Sequence, residues 1–334
     1  MSLSIKAVGR TDLGLVRSGN EDCIHLDEHH HVYAVCDGMG GHQAGEVASL
    51  TASETVQKAF TYFAREILDD KTISLDRTLP PMGELLVKAT RLANRAIYNK
   101  SREDSALSGM GTTIVAVAIE NDIMSIVHVG DSRAYRIRER ELEPLTRDHS
   151  WVAEIQEAQN LTEEEANSVV GKNVITRALG VKENVEADYR LIKVKEGDRF
   201  MLCSDGLCGF ADDDEIFEVI RNTDQELQSI VDILIQMAND RGGADNVSVI
   251  ALEITSTRET PIPELDALTF GAENIDTLGH EDDWLDKFAE FDSRRQEKQE
   301  SESKESGGTN KVLLLSIFVV FAVVAAVIIW MQIE

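Results

Sequence analysis

Short apolar runs rich in β-branched residues recur from the N-terminus to about Thr255 and then stop. Where such runs alternate with polar residues or end at turn residues they predict strands, over His31–Cys36, Thr112–Ile119, Met124–Val129, Arg133–Arg138, Asp198–Cys203 and Asn246–Ile254. A helical period predicts helices over Gly45–Leu68, Glu84–Ser101, Asp213–Arg221 and Gln225–Asp240. Strands dominate this order and helices interrupt it, without the strict alternation of a doubly wound sheet. An α+β architecture follows, an antiparallel sandwich with helices on its outer faces. The stretch Thr146–Gly180 is more polar, with helix signals between polar joints, and predicts a lid-like insertion.

Past Thr255 the pattern changes. Residues 1–256 therefore form the expected folded domain, and residues 257–311 an acidic, flexible linker ending in KQESESKESGGTN. Within it Trp284, Leu285, Phe288 and Phe291 fall at a helical spacing, which fits either a docking helix or a transient amphipathic turn. Residues 312–330 read VLLLSIFVVFAVVAAVIIW, uncharged and apolar on every face. That length suffices to cross a hydrocarbon core of roughly 30 Å as one transmembrane helix. Lys311 precedes it and Trp330 sits at its far edge, as interfacial anchors do. Met1–Arg10 lacks the layout of a secretory signal, so the domain is expected on the cytoplasmic face of a membrane.

Charge narrows the function. The chain has 33 basic against 60 acidic residues, a formal net charge of −27. Such a surface repels nucleic-acid phosphates, which excludes a nucleic-acid-binding role and leaves carboxylates for hard divalent cations. The cysteines are Cys23, Cys36, Cys203 and Cys208, with no CxxC pair and no His partner at zinc spacing. They read as small, buried, reduced thiols, neither nucleophiles nor ligands.

The carboxylates sit in a repeated design. VYAVCDG (Val32–Gly38), VHVGDSR (Val127–Arg133) and RFMLCSDGL (Arg199–Leu207) are strands ending in Asp beside Gly or Ser, and GADNVSV (Gly243–Val249) sets an Asp just before a strand. A strand end holds its carboxylate rigidly, and a neighbouring Gly lets a ligand approach the backbone. If Asp37, Asp131, Asp205 and Asp245 converge on one rim, their charges repel unless a cation binds, which suits Mg²⁺ or Mn²⁺. Near the N-terminus VRSGNED supplies Arg17, a planar fork for a phosphate, and Glu21 and Asp22, acceptors for metal-bound waters.

VRSGNED, VCDGMGGH, GMGTT, HVGDSRAYR, TRDHSW, ITRALG, CSDGL and GADNVSV stand in the order found in the PPM family, the 2C-type metal-dependent protein serine/threonine phosphatases. The chain resembles its bacterial branch from about Ile5 to Ile254. The resemblance implies a four-layer α/β/β/α sandwich of two antiparallel sheets, with Thr146–Gly180 as a mobile flap. It also implies a binuclear Mn²⁺ or Mg²⁺ centre. In it Asp37 bridges two ions, the Gly38 carbonyl holds one, and Asp205 and Asp245 hold the other. Glu21 and Asp22 act through coordinated waters, and Asp131 helps Asp205 hold a third, weaker ion. Arg17 binds the substrate phosphate, and a metal-activated water attacks phosphoserine or phosphothreonine on proteins. Many eukaryotic members carry His after the Asp-Gly where this chain has Met39, so the leaving group's proton is expected from metal-bound water first and His42 second. Expected partners are phosphorylated proteins, among them a membrane Ser/Thr kinase and its targets. The competing reading is a catalytically silent, membrane-anchored binding module. Silent members usually lose a metal carboxylate, and Asp37, Asp205 and Asp245 are all present.

Overall fold

The strands that read as unbroken apolar runs are those buried on both faces. Along β10 (Arg199–Cys203), Phe200 and Leu202 belong to the core between two sheets, while Met201 and Cys203 join the core beneath the helices. β11 (Val247–Ser256) divides likewise, with Ile250, Leu252 and Ile254 on one side and Val249 and Ala251 on the other. A strand sandwiched this way has no polar face to show, which explains its sequence.

The computed structural model describes residues 2–41, 43–69, 79–139, 141–162, 165–166, 174–222, 225–258 and 267–270. The chain divides into the units Met1–Gly279 and His280–Glu334, and every described residue lies in the first. One antiparallel sheet has the order β1 (Ser4–Asp12), β11, β10, β7 (Arg133–Arg138), β8 (Glu141–Pro144). The second runs β12 (Ala267–Phe270), β9 (Asp188–Lys193), β6 (Ile123–Val129), β5 (Ile114–Glu120), β3 (Val32–Met39), β2 (Asp22–Asp27), with β4 (Gly111–Thr112) pairing the end of β3. Helices α1 (Ala44–Asp69) and α2 (Pro81–Glu103) cover the second sheet. Helix α6 (Leu227–Asp240) covers the first, with the short α4 (Asp205–Cys208) and with α5 (Asp213–Ile220), which a capping box between Asp212 and Glu215 opens. The expected α/β/β/α layering is what forms.

Several differences have physical causes. The expected strand Thr112–Ile119 is interrupted at Thr113, whose amide donates to the Asp37 carbonyl at 2.8 Å. β1, β2, β8 and β9 carry charged residues between their apolar ones and leave only a weak alternation. β12 falls inside the expected linker, yet Ala267–Phe270 pairs with Tyr189–Ile192 and adds an edge strand. The insertion begins with α3 (Trp151–Gln159), which Ser150 caps and Asn160 ends in a left-handed conformation. Its base is closed by the Ser150–Ile175 bridge, and its return arm pairs Leu179 with Thr112 of β4.

All four cysteines are free; Cys36 and Cys203 are buried, Cys23 and Cys208 only partly so. Burial pushes the Cys23 and Cys36 thiols up, which makes them poor nucleophiles. Among the described residues no helix is long and apolar enough to cross a membrane. Residues 312–330, His42 and the Trp284–Phe291 set all lie outside the described residues.

Candidate metal centre

The ends of both sheets deliver acids to one place. β2 and β3 pair Asp22 directly with Asp37. The β6–β7 turn supplies Asp131, the end of β10 leads into Asp205, and Asp245 immediately precedes β11. Asp37 and Asp205 come together, and each alters the other's proton affinity.

The electrostatics follow from burial. Desolvation pushes the Asp22 carboxyl up to about 7, with Asp205 and Asp245 adding to it, although the Ser204 and Ser248 hydroxyls donate to its Oδ2 at 2.8 and 2.7 Å. Asp131 also rises to about 7, first through burial and then through Asp205 and Asp148. Burial raises Asp37 well above the carboxylate range, helped by Asp22, Asp205 and Asp131, and raises Asp205 as well. Glu21 rises by burial against the pull of Arg17. Burial thus disfavours the charged forms of Asp22, Asp37, Asp131 and Asp205. A divalent cation would offset this crowding of carboxylates, so the donor set fits Mn²⁺ or Mg²⁺.

Arg17 is about half exposed at the mouth and donates from Nη2 to Asp245 Oδ2 at 2.8 Å. It therefore sits against the centre, oriented by a carboxylate that a cation would share. Gly38 allows the close approach its motif suggested, since a Cβ there would lie 2.1 Å from the Gly45 carbonyl oxygen and 2.5 Å from that of Glu21. Thr112 Oγ1 donates to the Asp37 carbonyl at 2.8 Å, and Thr113 Oγ1 accepts from the Asp37 amide at 3.1 Å.

Sequence reasoning quoted the motifs but passed over their neutral members. Ser204, Ser248, Thr113 and Asn246 all hold the acids or their loops; Ser204, Ser248 and Asn246 each lie within three residues of a candidate Asp, whereas Thr113 stands in GMGTT, which has none. Asn246 is buried; its Oδ1 accepts from the Glu21 amide at 2.8 Å, and its Nδ2 donates to the Leu13 and Gly19 carbonyls at 3.0 Å each. That one side chain pins the loop carrying Arg17. Asn246→Ala is expected to cost about 2–4 kcal/mol by orphaning these groups, and to raise KM for a phosphopeptide as Arg17 loosens. Chemical denaturation and steady-state kinetics check both. From Asp131 and Asp205 a groove of about 610 Å³ leads away past Arg133, Asp148, Ala153 and Asp213. Asp148, also passed over, accepts from Nε and Nη2 of Arg133, at 2.9 and 2.7 Å.

The protein phosphatase 2C family pattern matches residues 17–246, a span that begins at Arg17 and ends at Asn246. The chain belongs to the protein phosphatase 2C family. Curated relatives of this phosphatase 2C chain include the serine/threonine protein phosphatase PstP of Mycobacterium tuberculosis strain H37Rv, 36% identical over 257 residues that make up 76% of this chain and 46% of PstP. The serine/threonine phosphatase Stp of Listeria monocytogenes serotype 4b is 34% identical over 253 residues, 75% of this chain and 96% of Stp. The chain thus spans about half the length of PstP and nearly all of Stp. Among solved structures, the catalytic domain of PstP in complex with two manganese ions superposes with a TM-score of 0.64 at 33% identity, covering 76% of this chain and all of that one. Stp1 of Staphylococcus aureus gives 0.65 at 31% identity, covering 76% and 97%. PP2C-type phosphatases work with Mn²⁺ or Mg²⁺.

Proposed function

We propose that this chain hydrolyses phosphoserine and phosphothreonine on proteins, using Mn²⁺ or Mg²⁺. The observation that carries the reading is the crowd of buried and half-buried acids that strand ends from both sheets bring to one place, where their charged forms are disfavoured. In this reading Asp37, the Gly38 carbonyl, Asp205 and Asp245 would hold two ions, Glu21 and Asp22 would accept from waters on them, and Asp131 with Asp205 would hold a third. Such ions lower the pKa of a water toward neutrality and offset charge on the transferring phosphoryl group.

The remaining work belongs to the chain. Arg17 reaches the mouth of the site, where its free guanidinium edge binds the phosphate and sets it in line for attack. Ser204 and Ser248 fix the Asp22 carboxylate in one orientation. Met39 carries no transferable proton, so the leaving Ser or Thr oxygen takes its proton from water. Mn²⁺-dependent phosphate release from a phosphothreonine peptide, lost on Asp37→Asn, tests the proposal. Binding of that peptide with no turnover would instead favour the silent binding module.

We further infer that residues 312–330 cross a membrane once and hold the catalytic domain at its cytoplasmic face. The support is the uncharged run itself and the acidic stretch before it. Tethering raises the effective concentration toward other membrane proteins, which points to a transmembrane Ser/Thr kinase or its neighbours as substrates. Deleting residues 311–334 is expected to slow dephosphorylation of such targets in cells while leaving turnover of a small aryl phosphate unchanged. Unaltered cellular phosphorylation would count against the tether.

A further inference from the structure

A second group of ionisable side chains lies beside the acidic centre, where β6, β9 and the base of the insertion meet. His128 comes from β6 and Asp188 opens β9, while His149 and Arg177 stand at the two arms of the insertion. His128 and His149 are buried, and their rings stack with centroids 4.4 Å apart. Ligand atoms of His128, His149 and Asp188 fall within 4.8 Å of one another, close enough to suggest a cation site. The hydrogen bonds argue otherwise. His128 Nε2 lies 2.7 Å from the Arg147 carbonyl, and His149 Nδ1 accepts from the Gly130 amide at 3.1 Å. Arg177 already brings a positive charge, donating to Asp188 Oδ1 at 3.1 Å. The group is a hydrogen-bonded clamp.

The clamp closes on the residue before Asp131. Gly130 donates its amide to His149 Nδ1 and accepts the His149 amide at its carbonyl, at 2.8 Å. Both polar groups of that backbone unit are therefore held by one residue. Gly130 has φ +110°, and a Cβ there would sit 2.6 Å from Thr113 Cβ, so glycine is required and brings backbone freedom that something must restrain. On the other side of Asp131, the Ser132 hydroxyl lies 2.7 Å from Thr113 Oγ1. An accepting Nδ1 leaves the ring proton of His149 on Nε2, which faces both Asp188 Oδ2 and Arg177 Nη1 at 3.4 Å, and of these only the carboxylate can accept it. Asp188 thereby selects the tautomer that can hold Gly130. The His149 carbonyl, in turn, accepts from the Thr176 amide at 2.8 Å, on the return arm of the insertion.

We propose that His149 is a positioning residue for Asp131: its two hydrogen bonds to Gly130 set the carboxylate that holds the third cation, and its contacts with Thr176 and Asp188 tie that cation's affinity to the insertion. The inference rests on the reading of Asp131 as a cation ligand. Outer partners of metal ligands typically change affinity by about 10–100-fold, and that is the size expected here.

The test is calorimetric titration of Mn²⁺ into the full-length protein and its variants, with near-UV circular dichroism reporting the fold. His149→Ala weakens the weakest Mn²⁺ event by about 10–100-fold and leaves the tighter events alone. His149→Asn, whose Oδ1 replaces Nδ1 as acceptor, recovers most of the loss. The double variant with Asp131→Asn binds like Asp131→Asn alone, since both changes act on one ligand. A folded His149→Ala protein with parental affinities, equal weakening at all sites, or additivity in the double variant overturns the proposal. If Asp131→Asn itself titrates like the parent, the assignment of Asp131 fails and the proposal falls with it. Should His149→Ala not fold, Asp188→Asn carries the test: a several-fold loss confined to the weakest event supports the link, and unchanged affinity overturns it.

Discussion

Asp37→Asn is expected to lower turnover of a phosphothreonine peptide in saturating Mn²⁺ by at least about 10³-fold, since bound cations supply several kcal/mol of charge stabilisation in the transition state. The position of Asp37 sets the size of the effect. It is half-buried among Asp22, Asp131 and Asp205, and is held at both its amide and its carbonyl by Thr113 and Thr112. The substitution keeps the shape and removes a carboxyl group whose ionisation its acidic neighbours disfavour. The cation-free variant should accordingly melt at or above the parent while turnover collapses, a pairing that simple unfolding cannot produce. Phosphate release and differential scanning calorimetry in EDTA read the two effects. Retained turnover would sink the metal-centre assignment, and a lower melting temperature would sink the account of its repulsion.

The second large effect is the dependence of cation stabilisation on pH. A carboxyl whose folded value exceeds its unfolded one binds its proton more tightly when folded, so its contribution is greatest below the unfolded value and is lost as pH rises through the folded one. Asp22 and Asp131 both move from 3.8 to about 7. At about 1.4 kcal/mol per pH unit of displacement, the cation-free protein loses on the order of several kcal/mol between pH 4 and 7. Burial lowers His25, His31 and His128, which acts the other way below about pH 6.5. The difference in melting temperature between Mn²⁺-loaded and EDTA-treated protein at each pH cancels that contribution. It is expected to widen by on the order of 10 °C from pH 5 to 7.5, because a domain of this size shifts a few degrees per kcal/mol. A gap that stays constant or narrows with rising pH would mean that the acids are not what the cations satisfy.

Membership of the phosphatase 2C family was legible from motif order, and the strands buried on both faces announced themselves as unbroken apolar runs. The edge strands did not. Arg190 and Lys193 of β9 interrupt its alternation, and β12 lies in a stretch whose composition reads as linker. Their pairing is decided by the sheet that receives them, through backbone hydrogen bonds that carry no side-chain signature.

The candidate site divides in the same way. Local sequence determined which acids stand at strand ends, because a rigid strand running into an Asp beside Gly, Ser or Asn is a feature of a few adjacent residues. It also determined that Gly38 must be small and that Arg17 precedes the acids of its loop. Only the tertiary structure decided that the Ser248 hydroxyl meets Asp22 across 226 positions of chain, that Asn246 pins a loop 225 positions away, and that His149 grips Gly130. Those partnerships depend on which strand ends come to lie together. Neutral hydroxyl, amide and imidazole groups serve equally well in many places, so nothing local marks the ones that hold an acid in position.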